Sequence, residues 1–124
     1  MRRTYKGDPP ALFMLMEVGA SGVAKRPKVP GKIDIGAAMT VIPEPLCRKL
    51  GLVRFGARTV RSIGAHQPYL PTFLVDLVVE GVSFRKEVLT HRRPYVLIGR
   101  DILNDFVLTA NGPAGWFELV AGGS

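Results

Sequence analysis

The run Ile33-Asp34-Ile35-Gly36-Ala37-Ala38 is the tightest constraint on this chain. Val29 to Asp34 reads as a strand, and it ends in one carboxylate with small residues close behind. A strand that delivers an acid to a narrow turn leaves room for another backbone to approach it. Gly36 is expected to take dihedrals closed to other residues, and Ala37 and Ala38 keep the turn slim. An aspartate that merely caps a turn would look the same by itself. The reading therefore depends on a second segment, Tyr95-Val96-Leu97-Ile98-Gly99-Arg100-Asp101-Ile102-Leu103.

The rest of the chain reads as short strands with frequent turns. Leu12 to Val18 is a strand, and Gly19 to Pro30, rich in Gly, Pro and Lys, is a hairpin loop. Met39 to Ile42 is another strand. Pro43-Glu44-Pro45 opens a short helix through Leu50, which Gly51 ends as a left-handed cap. Arg58 to Ile63 and Tyr69 to Leu77 are strands separated by Gly64-Ala65-His66-Gln67-Pro68, a hairpin with a flexible tip. Val78-Val79 and Val82 to Val88 form a hairpin about Glu80-Gly81. Tyr95 to Ile98 is a buried strand, Arg100 to Phe106 a short helix, Asn111-Gly112-Pro113 a turn and Trp116 to Val120 a last strand. The pattern predicts one all-β, barrel-like domain over residues 11–124 with two short helices, preceded by a polar, mobile tail over residues 1–10.

At 124 residues with 47% hydrophobic and 22% charged side chains, the chain is long enough for one modest core and too apolar for disorder. No apolar stretch is long enough to span a membrane or to form a signal peptide, so a cytoplasmic location is expected. Cys47 is alone and reads as a small buried hydrophobe. The net charge of +7 raises the question of nucleic acid. The basic residues fall in small groups without interleaved aromatics, so a solvated basic surface is favoured over nucleic-acid binding. His66 and His91 have no Cys or His at ligand spacing, and no metal or other cofactor is expected.

Asp34-Ile35-Gly36-Ala37, then Met39-Thr40-Val41-Ile42-Pro43, Leu50-Gly51-Leu52 and finally Ile98-Gly99-Arg100-Asp101-Ile102-Leu103 occur in the order and at the spacing of one family. Over roughly residues 11 to 120 the chain resembles the retropepsin-like aspartic proteases, in their non-viral branch. The resemblance implies a retropepsin-like barrel that is half of a symmetric homodimer, with one Asp34 from each subunit at the axis. Peptide-bond hydrolysis there needs two carboxylates sharing one proton around a water. Asp34 is then catalytic, and Ile35, Gly36, Ala37 and Ala38 form the active-site loop. Ile63, Gly64 and Ala65 fit a flap tip, with an ordinary hairpin loop as the alternative. Tyr95 and Leu97 share a strand face and line a substrate pocket, unless they only pack the core. Gly99, Arg100 and Asp101 form the structural motif behind the loop. The implied partners are a second copy of the chain and a peptide or protein substrate, with hydrophobic side chains preferred around the scissile bond.

Two residues depart from the family pattern. Ile35 stands where relatives carry Thr or Ser, whose hydroxyl hydrogen-bonds across the dimer axis. Lys32 stands where relatives carry an apolar residue, on the Asp34 face of the strand. It either snorkels to solvent or pairs with the aspartate. Ala38 leaves Arg100 without the acidic partner of the retroviral relatives, so Arg100 must find another, such as a backbone carbonyl. These departures keep open a second reading, a catalytically impaired peptide-binding or dimerisation module.

Overall fold

The computed structural model describes residues 1–62 and 65–122, with the backbone alone for 60–62 and 65–68. Among the described residues, ten strands and two short helices follow in order: β1 (Arg2–Thr4), β2 (Phe13–Ala20), β3 (Lys28–Ile33), β4 (Val41–Pro43), α1 (Glu44–Lys49), β5 (Arg54–Ser62), β6 (Ala65–Val79), β7 (Val82–His91), β8 (Val96–Ile98), α2 (Arg100–Leu103), β9 (Phe106–Asn111) and β10 (Trp116–Ala121). The larger sheet runs β2-β3-β8-β4-β7-β6-β5. It closes on itself because β2 pairs with β6 as well as β3, so six strands form a barrel and β5 extends β6 at the margin. The smaller sheet is β1-β10-β9.

Alternation along the strands makes the core. Met14, Met16 and Val18 of β2 point inward, as do Val75, Leu77 and Val79 of β6, while intervening residues face out. Val96 and Ile98 of β8, Ile102 of α2 and Phe117 of β10 complete the interior with no exposed area. Cys47 is buried on α1, and that burial pushes its thiol pKa up. Helix α1 ends as expected. Gly51 sits at φ +62, its N–H bonds the Arg48 carbonyl, and the Leu52 N–H bonds that of Cys47. Among the described residues no helix is long and apolar enough to cross a membrane.

Several boundaries differ from the sequence expectation. Arg2–Thr4 is not part of a mobile tail, because it pairs antiparallel with β10, and Arg3 also ion-pairs with Glu80. Its polar side chains carry no periodic signal; the neighbouring strand's backbone holds it. Helix α2 stops at Leu103, and Phe106 begins β9, a strand not anticipated. β5 begins earlier than expected, at Arg54, and β6 begins at Ala65 and not at Tyr69, with Ser62 opposite Ala65. A register shift between Arg58 and Val60, with Tyr69 at φ +62 on the facing strand, admits the extra residue of a bulge.

Two carboxylates tie the outer strands together. Asp76 accepts from Arg85 Nε at 2.8 Å and Nη2 at 3.2 Å and from the Gly22 N–H at 2.9 Å. Glu87 accepts from Thr72 Oγ1 at 2.6 Å and from Arg58 Nε at 3.1 Å and Nη2 at 2.7 Å. The Arg85 hydrogen bond holds the Asp76 pKa below its ordinary value, and the Thr72 hydroxyl, then Arg58, do the same for Glu87. A carboxylate whose folded pKa is depressed stabilises the fold above its unfolded pKa and loses that contribution as pH falls through the folded value. The urea midpoint is therefore expected to decline below about pH 4, where unfolded carboxylates begin to take up protons. The paired Asp76→Asn and Glu87→Gln changes should flatten that decline. An equally steep decline in the variant would assign the acid sensitivity to other groups.

Candidate active site

Asp34 follows directly on β3, and the next residues are held by the start of α2. β3 and β8 run parallel, with Lys32 opposite Leu97 and Ile33 opposite Ile98. The Asp34 N–H donates to the Ile98 carbonyl at 3.0 Å, which extends the ladder by one bond. The chain then turns. The Gly36 N–H donates to Asp34 Oδ1 at 3.0 Å, and the Ala37 N–H to the Asp34 carbonyl at 3.2 Å. Gly36 does not adopt the positive φ expected of it. Its smallness matters for another reason: a Cβ there would lie 3.2 Å from Asp34 Oδ1 and crowd the carboxylate.

Gly99, Arg100 and Asp101 grip this loop from behind. The Arg100 N–H donates to the Ala37 carbonyl at 2.8 Å, and the Asp101 N–H to the Ala38 carbonyl at 3.3 Å. Arg100 Nη1 donates to the Ile35 carbonyl at 2.8 Å, so a backbone oxygen is its partner in place of an acid. Thr40, which the sequence reading did not single out, joins the two segments. Its buried hydroxyl donates to Asp101 Oδ1 at 2.8 Å and accepts from the Gly99 N–H at 3.1 Å. Its own N–H donates to Asp101 Oδ2 at 3.1 Å. A buried hydroxyl needs such partners, but the pairing spans about sixty positions, and nothing local in the sequence marks it.

The result is a carboxylate on an ordered, accessible loop. Asp34 is half-buried, Gly36 and Ala38 are exposed, and Ile35 presents 65% of its surface to solvent. Tyr95 and Leu97 are both half-buried. Tyr95 packs edge-to-face on Phe13, with ring centres 5.2 Å apart, and its hydroxyl accepts from Arg93 Nη1 at 3.0 Å. Lys32 does not pair with Asp34; its Nζ lies 5.9 Å from the Phe13 ring centre and 5.8 Å from that of Tyr95. Of the expected flap residues, Ile63 and Gly64 lie outside the described residues, and Ala65 begins β6.

An interlocked acid turn of this kind, inside a six-strand barrel, is the retropepsin-like fold. Solved structures with that fold superpose on the chain. A retropepsin-like aspartic protease from Rickettsia conorii matches with a TM-score of 0.67 at 14% identity, over 96% of this chain and 89% of that one. The EIAV protease complexed with the inhibitor HBY-793 matches with a TM-score of 0.61 at 16% identity, over 77% and 86%. The simian foamy virus protease matches with a TM-score of 0.53 at 19% identity, over 73% and 92%. No family model and no curated protein matches the sequence.

Proposed function

We propose that the chain is one half of an aspartic endopeptidase, active as a twofold-symmetric homodimer. The observation that carries this reading is the Asp34 loop itself. It presents one carboxylate, which accepts the Gly36 N–H, on a turn that Arg100 holds from behind, beside an exposed isoleucine that a second subunit would cover. One carboxylate does not complete the chemistry, and a twofold axis through the loop supplies the second.

In the paired site the two Asp34 carboxyls share one proton, because like charges this close do not both ionise. The ionised one takes a proton from water as it attacks the peptide carbonyl, and the protonated one donates to the carbonyl oxygen. The substrate would lie extended over the Asp34 face, with Phe13, Tyr95 and Leu97 against its side chains and the β5–β6 hairpin as flap. Cytoplasmic residence belongs to the same proposal. Cleavage of a mixed peptide pool from acidic to neutral pH, with sedimentation of the same sample, tests it. Cutting by a species that sediments only as a monomer would refute the shared site.

Ile35 bears on the alternative, a module that binds without cutting. Threonine keeps the branched shape and restores a hydroxyl at the axis in each subunit. Each hydrogen bond is worth about 0.5–1.5 kcal/mol net, so two should tighten the dimer by roughly fivefold to a hundredfold. Ile35→Thr is expected to lower the dissociation constant measured by sedimentation and to raise any cleavage. Unchanged or weaker association would show that isoleucine contacts serve the axis as well as hydroxyls.

A further inference from the structure

Gly31 of β3 faces the core, where an added Cβ would meet Met16 and Ile98. Alternation therefore turns Lys32 to the opposite face, and Asp34 shares that face about 6.6 Å further along, at roughly 3.3 Å per residue. The strand registers lay out a row on it. Phe13 is opposite Lys32, Lys32 is opposite Leu97, and Leu97 is opposite Val41. The lysine is thus the one cation of an otherwise apolar row, resting on the Phe13–Tyr95 pair. Ion pairs hold Arg26, Arg48, Arg58 and Arg85, but among the described residues no carboxylate pairs with Lys32. A peptide laid over this row would desolvate the ammonium. An apolar side chain placed on it leaves the charge uncompensated, whereas a carboxylate compensates it.

We propose that Lys32 makes this face select an extended peptide carrying an acidic side chain close to the bond that faces Asp34. The proposal rests on the reading of the Asp34 face as a peptide-binding site. It replaces a uniformly hydrophobic preference with apolar contacts from Phe13, Leu97 and Val41 around an anionic position at each Lys32. Asp34 opposes an acidic neighbour. In the paired site, however, two lysines stand against the single net negative charge of the proton-sharing carboxyls, and Arg93 adds a further positive group beside Tyr95.

The test uses labelled apolar octapeptides in which one Glu, or one Gln as its neutral match, is moved along the chain. Binding is read by fluorescence anisotropy on the Asp34→Asn protein, and cutting of the same peptides on the unaltered protein. At one or both of the positions that meet the two lysines, Glu should bind about tenfold tighter than Gln, as expected for a charge-assisted hydrogen bond. Lys32→Met should abolish that preference, and Lys32→Arg should keep it. No position favouring Glu, or a preference that survives Lys32→Met, would overturn the proposal. Preferential binding without cutting by the unaltered protein supports the recognition and refutes the endopeptidase. Failure to bind or cut any peptide refutes both.

Discussion

Asp34→Asn is expected to abolish peptide cleavage while leaving the fold intact. Asparagine keeps the side-chain oxygen that accepts the Gly36 N–H at 3.0 Å, so the turn retains its internal contact. What it loses is the ability to take and return a proton, and in the proposed dimer it loses it twice. Positioned acid–base catalysis contributes about 10²–10⁴-fold, and turnover should fall by at least that much. The melting temperature, measured alongside, should stay close to that of the unaltered protein. Cleavage that persists in purified Asp34→Asn protein would remove Asp34 from the mechanism and with it the aspartic-protease reading.

The largest structural effect is expected from Gly99→Ala. A Cβ on Gly99 would lie 2.7 Å from both the carbonyl carbon and oxygen of Met39 and 3.0 Å from the Ala37 oxygen. These are backbone atoms of the segment that follows Asp34, and no rotamer change relieves the contact. Either α2 or the loop must move, at a cost of about 1–3 kcal/mol for overpacking. That corresponds to a fall of about 4 °C in melting temperature for each kcal/mol in a domain of this size. Because the same backbone carries the carboxylate, cleavage should drop further, as a displacement of about 1 Å can cost a hundredfold. Gly31→Ala is the matched control. Its new Cβ meets the Met16 sulfur at 2.6 Å and the tip of Ile98 at 2.9 Å, side-chain ends that can give way. A smaller loss is expected there. Equal melting of Gly99→Ala and the unaltered protein would show that the loop and α2 are looser than the contacts indicate.

The acid turn and its supporting segment were legible because both are local. Asp34-Ile35-Gly36-Ala37 and Ile98-Gly99-Arg100-Asp101 each encode a strand end followed by a sharp change of direction, and their order along the chain identified the barrel. The cap at Gly51 and the Glu80-Gly81 hairpin were readable for the same reason, since each depends on a few neighbouring residues. The role of Gly36 was misjudged. The sequence suggests special dihedrals at this glycine, but the placed carboxylate shows that an added Cβ would meet Asp34 Oδ1 at 3.2 Å, with no left-handed φ involved.

The pairing of distant elements was not legible. β1 is three polar residues that become a strand only because β10 offers its edge, and β9 emerges because α2 stops after one turn. Thr40 becomes the link between two segments through a carboxylate sixty-one positions away, and Lys32 finds two aromatic rings, one from β2 and one from the bend before β8, in place of its near neighbour Asp34. By itself, then, the sequence determined the class of fold, the acid and the turn that carries it, because short-range sterics and alternation are written residue by residue. The tertiary structure decided how that turn is locked and what surrounds the lysine beside it, because strand register and barrel closure choose which distant side chains meet.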